Sequence, residues 1–126
     1  MRTLLSVTGI LVAILCPISH AHGQKATEQF IPIGQSPGVS QKYTSIGEIA
    51  EVNAVARTVT IADPAGPRTV RITDQTRIWL DRTKLKASNL SGSFADLQKG
   101  RRAEVKYEDP ARRDVAEWVK VEVDRP

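Results

Sequence analysis

From Thr44 to Val123 the chain alternates. Apolar residues recur at every second position in short runs, and each run is closed by Gly, Pro, Asn or Asp. A period of two sends successive side chains to opposite faces of an extended strand, so each run has one apolar and one polar face. The breaks between runs are mostly too short for crossover helices, which argues against βαβ units and for an antiparallel all-β barrel or sandwich.

Six strands and one helical turn are expected. Ser45 to Asn53 is the first, with Ile49 and Val52 inward; their spacing calls for a β-bulge, and Gly47 lets the strand bend. Arg57 to Asp63 follows with Val59 and Ile61 inward, and Asp63-Pro64-Ala65-Gly66-Pro67 forms a hairpin loop to Arg68–Thr73 with Val70 and Ile72 inward. Thr76 to Leu80 is the fourth strand, with Ile78 and Leu80 on one face. A polar loop then leads to Ser93-Phe94-Ala95-Asp96, where Ser93 and Asp96 stand at capping-box positions and Phe94 and Leu97 can plug one end of a barrel. Arg101 to Tyr107 turns Ala103, Val105 and Tyr107 inward, and Val115 to Val123 does the same with Val119, Val121 and Val123. Closure into a barrel removes the two exposed edges that six short strands would otherwise leave.

Gly47-Glu48-Ile49, Val52-Asn53, Thr58-Val59-Thr60-Ile61, Thr76-Arg77-Ile78, Asp96-Leu97-Gln98-Lys99-Gly100, Ala116 and Val119 together resemble the spaced pattern of small exported bacterial OB-like β-barrel domains of unknown function. The resemblance runs from Ser45 to Val123 and rests on turns, bulges and alternation. It implies a fold, a small six-stranded antiparallel OB-like barrel, and an exported setting; it implies no catalytic residue.

Ahead of the barrel (residues 44–126) two further segments are expected. Arg2 followed by the uncharged run Leu4–Leu15 and then Pro17 reads as a signal peptide over residues 1–21, cleaved after Ala21 or Gly23. The apolar run is too short to span a bilayer. Cys16 follows Ile14 and Leu15, where a lipoprotein signal has small residues, so the chain is expected to be periplasmic or secreted without a lipid or transmembrane anchor. Residues 22–43, rich in Gln, Ser, Gly and Pro, read as a flexible or extended arm, with Phe30-Ile31-Pro32-Ile33 as an apolar island able to dock on the barrel or on a partner.

Reactive side chains are scarce. The only cysteine is Cys16, the two histidines are His20 and His22, and the only methionine is Met1, so the barrel itself carries none of these. Copper and zinc sites need such ligands; no metal, cofactor or catalytic residue is expected, and no calcium loop or phosphate loop is present. The 18 Lys plus Arg against 14 Asp plus Glu give a net charge of +4, or about +3 once Arg2 leaves. If Ile78 and Leu80 point inward, Arg77 and Trp79 point outward, and a bulge near Glu117 would also turn Trp118 out. Exposed Trp79 and Trp118 beside Arg71, Arg77, Arg101 and Arg102 would form a platform for an envelope protein, peptide or saccharide. The expected function is a non-catalytic exported binding module; the alternative is an OB-type binder of polyanions or single-stranded nucleic acid.

Overall fold

The computed structural model describes residues 27–125. The signal peptide expected over residues 1–21, with its cleavage positions, Cys16 and both histidines, lies outside the described residues.

The chain is all-β. The strands are β1 (Thr44–Asn53), β2 (Thr58–Asp63), β3 (Gly66–Arg71), β4 (Arg77–Asp81), β5 (Leu90–Ser91), β6 (Arg102–Tyr107) and β7 (Ala116–Glu122), with 3-10 turns at Thr83–Leu85 and Phe94–Asp96. They form one sheet in the order β3-β2-β1-β6-β7-β4-β5. The end of β3 also meets the approach to β7, through a parallel bridge of Arg71 with Val115 and a 2.9 Å bond from the Arg71 amide to the Asp114 carbonyl. This contact closes the circuit β1-β2-β3-β7-β6, the strand circuit of an OB-like barrel.

Two features differ from the sequence expectation. A seventh strand, Leu90–Ser91, arises within the predicted loop because two residues pair with Trp79 and Leu80. The sheet is also mixed, since β4 runs parallel to β7 with Trp79 opposite Lys120. Strands β3 and β4 are not hairpin partners. They lie one after the other along β7, separated by a turn in which the Thr73 amide donates to Thr76 Oγ1 at 2.9 Å. Adjacent strands in sequence usually pair, and this turn breaks that rule.

Both expected bulges are present. Register shifts between Ile49 and Glu51 on β1, and Glu117 is the extra residue between the pairs Lys106–Trp118 and Tyr107–Ala116. The second bulge lets Ala116, Val119 and Val121 all face the core while Trp118 faces away. Gly47 is required by close approach, because a Cβ there would stand 2.1 Å from the Ala62 carbonyl oxygen. The core gathers Ile49, Val59, Ile61, Val70, Ile72, Leu97, Val105, Val119 and Val121, with Phe94 half-buried against it. The Ser93 amide donates to Asp96 at 2.8 Å, the reciprocal half of the capping box that starts the turn carrying Phe94. Val52, expected inward, is exposed because it lies beyond the bulge near the tip of β1. Tyr107 is buried in the core and donates to Ser45 Oγ at 2.7 Å. Burial raises its pKa above the ordinary 10.0, and the bond to Ser45 pulls the other way.

Candidate functional site

The side of β4, β7 and β6 that faces away from the core carries a second set of residues. In register across the strands stand Trp79 on β4, Lys120 on β7 and Glu104 on β6. One step along are Arg77, Trp118 and Lys106; on the other side of Trp79, β4 ends in Asp81. Alternation alone places these side chains outward, and for an open sheet outward means wet. Here Trp79 is 3 % exposed, Trp118 2 %, Asp81 3 %, and Glu104 and Lys120 0 %.

Residues 27–43 lie against the charged residues of this face. They fold into consecutive turns, marked by bonds from Phe30 to Thr27, Gln35 to Pro32 and Val39 to Ser36, and bury Ile33 and Ser36. Their composition offers little apolar area, and they are held mainly through polar contacts to the sheet. Four side chains bind main-chain groups of the segment 29–34. Asn89 Nδ2 donates to the Gln29 carbonyl at 2.9 Å and Lys120 Nζ to the Ile31 carbonyl at 2.8 Å. The Ile33 amide donates to Asp81 Oδ2 at 2.8 Å and the Gly34 amide to Glu104 Oε1 at 2.9 Å.

The remaining valences are filled as buried charge requires. Lys120 Nζ pairs with Glu28 Oε1 at 2.8 Å, bonds Ser36 Oγ at 3.3 Å and lies 4.6 Å from the centroid of the Trp118 ring. Glu28 also accepts a bond from the Ser36 hydroxyl. Glu104 Oε2 accepts from Ser40 at 2.7 Å and Thr44 at 2.8 Å, and Asp81 Oδ1 accepts the Thr83 amide at 2.9 Å. The two tryptophans stack at a tilt of 35° with centroids 5.6 Å apart. Among the described residues no group of three or more His, Cys, Asp or Glu could hold a metal ion.

The platform expected from Trp79 and Trp118 is therefore corrected. Both rings do point away from the core, and the turned segment 27–43 lies against the side of the sheet they stand on. That segment is packed rather than extended. Of the four arginines only Arg77 stands in register with a ring, opposite Trp118. Arg71 and Arg77 are exposed beside the first residues of β7, whereas Arg101 and Arg102 precede or begin β6, antiparallel to β7 and level with its end. Along β7, Arg71 at the level of Val115 stands about 23 Å from the level of Arg102, and Arg77 at the level of Trp118 about 13 Å, at the usual strand rise. Arg101 is half-buried and donates to the Asp96 carbonyl at 2.9 Å. With Arg102, it lines a cleft that also holds Glu122 and Asp124, so the charge there is mixed.

Sequence reasoning missed Asp81, Asn89, Glu104 and Lys120. The available signal was the pair of outward tryptophans on neighbouring strands: two large apolar rings on one sheet face call for a cover, and the polar segment upstream supplies it.

The fold and this face together define an OB-like barrel with a strapped outer surface. No protein-family profile matches the chain, and no curated protein sequence matches it. Among solved structures, it is similar to a Cu(II) form of a CusF variant from Escherichia coli. The identity is 11 % and the TM-score 0.44, over 63 % of this chain and 89 % of that one. It is also similar to Ag(I) CusF, at 13 % identity and a TM-score of 0.43, over 62 % and 93 % of the two chains. Among the described residues no helix is long and apolar enough to cross a membrane.

Proposed function

We propose that this protein is a non-catalytic binding module of the cell envelope, exported by a signal peptide over residues 1–21 and binding through the outer face of β4, β7 and β6. One observation carries the proposal: Asp81, Glu104 and Lys120 are buried on the side of the sheet away from the core. Burying charge costs several kcal/mol per ion before partners offset it, and apolar residues of similar volume often serve stability as well or better. In this chain the three groups hold main-chain atoms of residues 31–34. A face so equipped can hold polar groups of another chain in the same way.

The two tryptophans make the test direct, because they are the only ones in the sequence and both stand on this face. Their emission should be followed while a peptide library, an anionic polysaccharide and a single-stranded oligonucleotide are titrated at two salt concentrations. Saturable change with one ligand class, weakly dependent on salt, supports binding at this face. Binding that falls steeply with salt and leaves the emission unchanged would move function to the arginine surface and to the polyanion alternative. No response to any ligand would overturn the proposal.

A further inference from the structure

We infer that this face is a groove for peptide main chain, occupied in cis by residues 29–34; this rests on the binding reading above and names its ligand class. Asn89, Lys120, Asp81 and Glu104 come from a loop and three different strands, yet all four converge on backbone atoms. Two donate to carbonyls and two accept from amides, in chain order along the segment. Lys120 and Glu104 also meet the side chains of Glu28, Ser36 and Ser40, which flank the segment. Within residues 29–34 the four bonds go to groups that every peptide has, which is how main-chain recognition supplies affinity while a few pockets supply selectivity.

Two selective positions are visible. Ile33 is 5 % exposed, so the groove takes a bulky apolar residue there. Gly34 has φ +82°, a conformation open to glycine at little cost, and a Cβ would meet only ordinary contacts at 3.7 and 3.8 Å. The expected ligand is a non-helical peptide with an apolar residue followed by Gly. The tether through residues 35–43 holds the resident segment at an effective concentration on the order of millimolar. An external peptide therefore gains access only when the resident segment is loosened or outcompeted.

Gly34→Val loosens the resident segment through its backbone alone and leaves every groove side chain in place. A labelled peptide with the sequence of residues 27–40 should be titrated into the full mature chain and into this variant, with amide exchange at Ile33 reporting release. A left-handed conformation costs a residue with a Cβ enough to weaken docking by roughly tenfold. The variant should therefore bind the peptide about ten times more tightly than the unmodified chain, and the same peptide carrying Gly34→Val should bind either chain about tenfold more weakly. Adding Lys120→Met to the variant should abolish capture. If Ile33 exchanges fast and the peptide binds no better than a scrambled one, the groove is not a peptide site, although another ligand that changes tryptophan emission would leave the broader binding proposal standing. If the amide at position 33 stays protected even with Ile33→Ala added, the segment is a fixed part of the fold and the inference falls.

Discussion

Replacing Lys120 by Met keeps the length of the stem and deletes the ammonium that bonds Glu28, Ile31 and Ser36. A hydrogen bond from a charged group contributes about 1.5–3 kcal/mol net. Removing one member of a buried ion pair costs about 3–5 kcal/mol, because its partner stays behind unpaired. The Glu28 side chain is 16 % exposed against 0 % for Lys120, so Glu28 can regain some water, and the lower figure of about 3 kcal/mol applies. That loss should fall on the docking of residues 27–43 and spare the barrel, whose core lies on the opposite side of the sheet. Native-state amide exchange resolves the two. At about 1.4 kcal/mol per decade, the amides of Ile33 and Gly34, bonded to Asp81 and Glu104, should exchange about a hundredfold faster. The amides of Val105, Val119 and Val121 should change by less than about tenfold. Adding Glu28→Gln should recover part of the protection by removing the stranded charge. Equal acceleration everywhere would refute the reasoning by making segment and barrel one cooperative unit. No acceleration at Ile33 and Gly34 would refute it by showing that Lys120 does not hold the segment.

Three other outcomes are expected. Because burial raises the pKa of Tyr107, the folded state holds its proton more tightly than the unfolded chain. The corresponding stability is complete below about pH 10 and is lost as pH rises toward the folded-state value. Tyr107→Phe should cost about 1 kcal/mol at neutral pH through the lost Ser45 bond and make the alkaline fall in Tm shallower; an unchanged alkaline slope contradicts this. Gly47→Ala should lower Tm by roughly 10 °C, since the new Cβ forces the paired β2 backbone to move, and a Tm within about two degrees of the parent would show that the strands part easily. Any binding of an oligonucleotide should weaken steeply with salt and disappear in Arg71→Ala with Arg77→Ala, with tryptophan emission untouched; loss of binding in Lys120→Met instead would place the polyanion in the groove.

The barrel was readable in the sequence because its information is local. Val59 and Ile61, Val70 and Ile72, Val119 and Val121 each announce a buried face by alternation, and the bulges follow from positions where that alternation slips, at Ile49–Val52 and at Glu117. The parallel pairing of β4 with β7 was not readable, because it depends on a turn at 73–76 that sends β4 onward along β7 instead of back along β3. The outer face failed for a different reason. Lys120 and Glu104 are placed correctly by strand parity, but parity sets only which side of the sheet a residue takes. Whether that side is wet depends on residues 27–43, about sixty to ninety positions away in sequence. Segments poor in apolar residues are ordinarily solvated. This one is ordered because charged side chains on the sheet satisfy its main chain.

Quenching of tryptophan emission by acrylamide tests the central claim that residues 27–43 keep the outer face dry. Trp79 and Trp118 are 3 % and 2 % exposed, so the unmodified chain should emit at short wavelength and resist the quencher. Gly34→Val should make the emission more readily quenched, while β-sheet circular dichroism is retained. Long-wavelength, readily quenched emission from the unmodified chain would contradict the account, because the face would then be open without any ligand or substitution to open it.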